Sequence, residues 1–165
     1  MIDEIPSYTG YFGVSLTPFT PDDDEGYARL CMDEETNKYW GYDYSKDEAE
    51  PEVSYFRQVA EAEFDRSTAL CLAVRYKNTF VGEATLYYFD LMGGCECAVR
   101  ILPEFRRMGY GGEALKLLKT IAKRMGIKYL RAAVYLRNEA SVRMTEKHIP
   151  EIDRDDKQVT YQGKL

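Results

Sequence analysis

The chain has 165 residues, 45% of them hydrophobic and 30% charged, with a net charge of −6. That length buries a core without disulfides or metals, the balance is that of a globular protein, and no apolar run approaches the roughly 18 residues of a membrane span. The acidic start MIDEIPSYTG lacks the basic-then-apolar order of a secretory leader, so a cytoplasmic address is expected.

The charge is divided. Residues 1–70 hold 17 acidic side chains against 5 basic ones, and residues 101–150 hold 11 basic against 4 acidic. One region suits a polyanionic ligand and the other a cationic one, although two solvated faces of opposite sign would read the same way. The basic residues are spread along a helix and a strand beside an acidic half, which speaks against nucleic acid as a partner. Cys31, Cys71, Cys95 and Cys97 form no CxxC pair, and His148 is the only histidine. Buried packing is therefore expected for all four thiols, with no metal site.

In chain order, Tyr11 to Leu16 is the first strand candidate, followed by a turn at Pro18 to Pro21. DDDEGYARLCMD predicts a helix with Asp22 to Asp24 at its positive end. After a tyrosine-rich loop, KYWGYDYS, a second helix is expected from about Pro51 through VSYFRQVAEAEF. TALCLAVRY, TFVGEATLYYFD and CECAVRIL then read as three antiparallel strands, joined by turns at Lys77–Asn78 and Leu91 to Gly93. Leu115, Leu118, Ile121, Ala122 and Met125 form one stripe of an amphipathic helix that stops at Gly126. IKYLRAAVYL is a strand, Asn138 caps the helix NEASVRMTEKH, and QVTYQGKL is a closing strand. This order predicts one α/β domain over residues 1–165, a mixed sheet with helices on its faces. In such a sheet a ligand belongs where neighbouring strands diverge, beside the N-terminus of a helix.

The segment RRMGYGGEAL sits at such a helix start. Gly109, Gly111 and Gly112 let backbone N–H groups turn inward at the positive end of the helix, an anion site suited to a pyrophosphate. Arg106 and Arg107 can add charge-assisted hydrogen bonds. The glycine order is not GxGxxG and no Lys-Ser or Lys-Thr follows, which excludes the dinucleotide fingerprint and the P-loop.

RILPEFRRMGYGGEAL, with Pro103, Arg106, Gly109 and Gly111, resembles the acetyl-CoA-binding motif of the GNAT N-acetyltransferase superfamily. NEAS, with Asn138 and Ser141, looks like the second motif of that family. The resemblance covers nearly the whole chain and is nearest the branch of ribosomal-protein alanine and spermidine N-acetyltransferases. It implies a mixed, mainly antiparallel GNAT-type sheet flanked by about four helices. It also implies transfer of acetyl from acetyl-CoA to a primary amine: a protein N-terminus, a polyamine or another small amine. A homodimer is compatible with the family. On this resemblance the backbone of Val99, Arg100 and Ile101 pairs with the pantetheine arm like an added strand. The N–H groups of Arg107, Met108, Gly109, Tyr110, Gly111 and Gly112 hold the pyrophosphate together with Arg106. Asn138 and Ser141, at the second motif, touch the pantetheine or cap their helix.

The implied mechanism is direct attack of a neutral amine on the thioester. An alkyl ammonium has a pKa of about 10.4, so a base must take its proton. Glu96 and Glu83 are the candidates, because alternation places them on one face of neighbouring strands; a carboxylate paired with Arg100 is the other reading. The position where the family carries its tyrosine acid holds Thr145, and the Gly-Phe pair that usually follows is replaced by Ile149 and Pro150. Tyr135, Tyr110 or water would then protonate the leaving thiolate. The same departures fit a catalytically impaired acetyl-CoA-binding module with a sensing or interaction role. Tyr39, Trp40, Tyr42 and Tyr44 suit a cationic acceptor through their ring faces, or else pack the helices onto the sheet.

Overall fold

The structure is a computed structural model that describes residues 4–40, 46 and 51–165. Its elements are β1 (Tyr8–Thr9), β2 (Val14–Thr17), α1 (Asp24–Met32), α2 (Glu34–Asn37), α3 (Tyr55–Asp65), β3 (Ala69–Tyr76), β4 (Thr79–Tyr87) and β5 (Gly94–Ile101). They continue with α4 (Tyr110–Arg124), β6 (Tyr129–Tyr135), α5 (Glu139–Thr145), β7 (Glu151–Arg154) and β8 (Gln158–Lys164). The strands form one sheet in the order β1-β2-β3-β4-β5-β6-β8-β7, in which β5 and β6 alone run parallel. The expected mixed, mainly antiparallel α/β sheet is the observed one, with five helices including the short α2.

Strand alternation sorts the core into two layers. Leu70, Leu72 and Val74 of β3, Ala84 and Leu86 of β4, and Cys95 and Cys97 of β5 pack with Ala114, Leu115, Leu118, Ile121 and Ala122 of α4. That stripe is the one the sequence shows, with Met125 packed at its margin and Gly126 in the left-handed region (φ 81°) where the helix stops. The opposite face carries α1 and α3, whose Tyr27, Leu30, Cys31, Phe56 and Ala60 close over Ala73. Among the described residues, no helix is long and apolar enough to cross a membrane.

Several boundaries differ from the sequence reading. The first strand begins at Val14, because Tyr11 to Gly13 form the turn of a hairpin with β1, closed by Gly10 N–H donating to Val14 O (2.7 Å). Thr20, before the acidic run, opens the turn leading into α1, where its N–H donates to Asp23 Oδ2 (2.8 Å). The second predicted helix starts at Tyr55, after a turn in which Tyr55 N–H donates to Glu52 O (2.9 Å). The sequence reading also lacks α2, capped by Asp33 accepting from Thr36 N–H (2.7 Å), and β7, an exposed edge strand.

A candidate active site where two strands part

β5 and β6 pair only from Gly94 to Glu96 against Tyr129 to Arg131. Past that row β6 keeps its pairing with β8 through Tyr135, and β5 keeps its pairing with β4 through Ile101. The two strands therefore open into a V. Leu102 N–H donates to Val81 O (2.9 Å), so by antiparallel alternation Ala98 and Arg100 address β4 as well. Val99 turns both its N–H and its C=O into the opening, joined by Cys97 C=O and Ile101 N–H, while Ile101 O accepts from Arg106 Nε (3.1 Å). Of the three residues expected along a cofactor arm, Val99 and Ile101 thus face it, and the backbone groups of Arg100 do not.

The loop after β5 arrives at the mouth of this V. Pro103 to Phe105 make a single 3-10 turn, then Arg107 (φ 61°) and Gly109 (φ 84°) both take left-handed conformations. Gly109 bears this without strain and Arg107 does not, and together they turn successive N–H groups to one side. α4 starts at Tyr110, leaving the N–H groups of its first turn without helical partners at the positive end of the helix. A Cβ on Gly111 would lie 3.0 Å from Met144 Sδ and 3.7 Å from Ile101 Cγ1, so this first turn is wedged between β5 and α5.

Other expected residues fall as follows. Arg106 donates from Nε to Ile101 O (3.1 Å) and from Nη2 to Thr36 Oγ1 (2.7 Å), tying the loop to α2. Met108 is exposed. The Tyr110 ring stacks on Tyr76 of β3 (centroids 4.8 Å apart), away from β6, whereas Tyr135 ends the strand that forms the other arm of the V. Asn138 Oδ1 accepts from Ser141 N–H (3.3 Å), so both residues serve the start of α5. Thr145 is 3% exposed, and Ile149 belongs to the core.

On the α1–α3 face the two carboxylates have different surroundings. Glu83 is 2% exposed, accepts from Tyr27 OH (2.8 Å) and from Arg100 Nε (2.6 Å), and so has both oxygens engaged. Arg100, 8% exposed, also donates to Asn37 Oδ1 (2.5 Å) and Cys31 Sγ (3.1 Å), and its guanidinium lies 4.3 Å from the centre of the Trp40 ring. Asn37 completes the cluster by donating to the carbonyls of Leu30, Cys31 and Asp33. Glu96 shares the face of Glu83 but stands opposite Tyr87, in the last row before β5 and β6 part, and is partly exposed. Burial, then the Glu96 carboxylate, pushes the Tyr87 phenol up, so it stays protonated. Burial also raises the thiols, Cys31 and Cys95 to about 12, with Cys71 and Cys97 well above their usual range. Tyr39 and Trp40 are part of this region, and Tyr42 and Tyr44 lie outside the described residues. The sequence reading allowed a carboxylate paired with Arg100 but missed Tyr27, Asn37, Cys31 and Trp40 as the partners around that pair, since nothing local marks side chains brought in from other elements.

The matches to known proteins agree with this geometry. An acetyltransferase (GNAT) domain model matches residues 14–148, and the chain belongs to the GNAT acetyltransferase family. Among solved structures, a probable acetyltransferase superposes with a TM-score of 0.80 at 16% identity, over 98% of each chain. RimL, a ribosomal L7/L12 alpha-N-protein acetyltransferase in complex with coenzyme A, gives 0.76 at 16% identity, over 98% of this chain and 97% of that one. A spermidine N-acetyltransferase from Vibrio cholerae, in complex with CoA and spermine, gives 0.76 at 12% identity, over 92% and 95%. No curated protein matches the sequence.

Proposed function

We propose that this chain, as one domain over residues 1–165, is an acetyl-CoA-dependent N-acetyltransferase in which a primary amine attacks the thioester directly at the parting of β5 and β6. The observation that carries the reading is the open edge of β5 centred on Val99, running up to the N–H-lined start of α4. An extended pantetheine arm fits that edge as an added strand, and a pyrophosphate fits N–H groups turned inward at a helix start. The acetyl thioester supplies the activated acyl group. Arg106, Arg107, Met108, Gly109, Tyr110, Gly111 and Gly112 hold the anionic end, Val99 and Ile101 align the arm, and Asn138 with Ser141 fixes α5 beside it.

Glu96 is the base, directly or through a water, because its carboxylate stands at the apex of the V while both oxygens of Glu83 are engaged elsewhere. The leaving thiolate takes its proton from water, because Tyr135 stands four residues along β6 from Arg131, the partner of Glu96, roughly 13 Å away at 3.3 Å per residue, and the Tyr110 ring is stacked on Tyr76. A cysteine acyl-enzyme is disfavoured, since none of the four raised thiols supplies a thiolate near neutral pH. The second reading, acetyl-CoA binding without turnover, draws support from the buried Thr145 where the family carries its acid.

Calorimetric titration with acetyl-CoA, followed by thiol release with a panel of amines, tests both readings. Saturable binding is expected, lost in Gly111→Trp, whose side chain would fill the space between Ile101 and Met144. Glu96→Gln is expected to lower kcat by about 100-fold or more with little change in acetyl-CoA affinity. Binding without release of thiol by any amine would favour the non-catalytic module.

A further inference from the structure

We infer that the acceptor is an amine carrying a single positive charge and an aromatic or apolar group, and that Trp40 is the residue selecting that group. The inference rests on the acetyltransferase reading and adds the class of acceptor. On the α1–α3 face, the opening is bordered by Glu96, Ala98 and Arg100 of β5 and by Arg131, Ala133 and Tyr135 of β6. The short side chains at Ala98 and Ala133 keep this face low, a hollow lying over the gap that the pantetheine arm would fill. Glu96 stands at its closed end. Trp40 lies over Arg100, four residues along β5 and thus roughly 13 Å away at 3.3 Å per residue. Tyr39 bridges the open end, its ring 6.1 Å from that of Tyr135 and its hydroxyl donating to Arg137 O (3.3 Å).

The charges around this hollow are nearly all spoken for. Arg100 is paired with Glu83 and Arg131 with Asp90, both at 2.6 Å. Of the three charged side chains that β5 and β6 present to the hollow, Glu96 alone has no ion-pair partner. It balances one ammonium, and among the described residues a second cation farther along meets no free carboxylate. Trp40 does not take its place, because one ring face is already occupied by the Arg100 guanidinium, and a further cation would compete for the same ring quadrupole. A flat or apolar group faces no such competition and gains contact area on the half-buried indole and on the rings of Tyr39 and Tyr135. Arg100 acts through Trp40, as a positioning residue: its buried hydrogen bonds to Glu83 and Asn37 fix the plane on which the indole rests.

The test is thiol release from acetyl-CoA with phenethylamine, the tripeptides Ala-Ala-Phe and Ala-Ala-Ala, propylamine and spermidine. The expected result is a kcat/KM at least tenfold higher for phenethylamine than for propylamine or spermidine, or for Ala-Ala-Phe than for Ala-Ala-Ala; the two arms separate a free arylalkylamine from a peptide amino terminus. Trp40→Ala should collapse that ratio toward one, chiefly through KM, and Trp40→Phe should restore most of it. Trp40 is the only tryptophan in the sequence, so its fluorescence in the wild-type protein with CoA present should also respond to the preferred amine without turnover. Preference for spermidine, an unchanged ratio in Trp40→Ala, or an unresponsive emission would overturn the inference while leaving acetyl transfer standing. Absence of acetyl-CoA binding would remove both.

Discussion

Arg100 has the most consequential side chain in the molecule. It occupies an inward position of a central strand, where a charge is costly unless every donor is met, and Glu83, Asn37, Cys31 and the Trp40 ring meet them. Arg100→Met removes one partner of a buried pair and strands Glu83, so a loss of about 3–5 kcal/mol in unfolding free energy is expected from urea titration. The double variant Glu83→Gln with Arg100→Met should recover part of it; no recovery would mean that packing against Trp40, and not the charge, is what Arg100 provides. At this scale the sequence was only partly legible. Glu83, Glu96 and Arg106 are each visible as candidates, but whether a carboxylate is free or paired depends on Tyr27, 56 residues away, and on Arg100. Arg106, expected beside a phosphate, also bonds Thr36, a partner 70 residues distant. Local pattern carries no information about such partners.

Elements with a strong period were legible, and short or one-sided ones were not. The stripe of α4 emerges from its helical period, and β3, β4 and β5 emerge as apolar runs bounded by turns because both faces of that part of the sheet are covered. β1 has two residues and β7 four, all exposed in β7, so neither shows a repeat that could be read. The parting of β5 from β6 was anticipated in kind, since a loop that opens a helix after a parallel strand marks such a place. Its extent depends on tight contacts deeper in the sheet. A Cβ on Gly82 would stand 2.2 Å from Arg100 O, so β4 leaves no room for a side chain just where β5 forms the edge of the V. Gly82→Ala should therefore destabilise the protein by about 1–3 kcal/mol and speed hydrogen exchange at Ala98 and Arg100, whose N–H groups address β4. Unaltered exchange there would show that the strand absorbs the methyl elsewhere.

For the whole molecule, the opposed charges of the two halves and the single histidine are the features with a measurable consequence. Burial first, then Lys116 and Lys119, hold the His148 pKa below its usual value, with Glu113 opposing and Lys147 reinforcing. The unfolded chain then takes up a proton near pH 6.5 that the folded chain resists. Stability from this source is complete above that pH and declines as pH falls toward the folded pKa, so the melting temperature should drop between pH 7 and 5. The drop should be shallower in His148→Gln; an identical profile would assign it to carboxylates such as Asp90, whose backbone and Arg131 contacts hold its pKa down and whose contribution is lost at lower pH. The sheet itself has a mechanical consequence. β1 to β5 form one leaf, and β6, β8 and β7 form another, joined along the sheet by three residue pairs. A plate notched so deeply is most compliant at the root of its notch, and any ligand laid along the open edge works as a rib across it, converting two leaves that flex separately into one stiff panel.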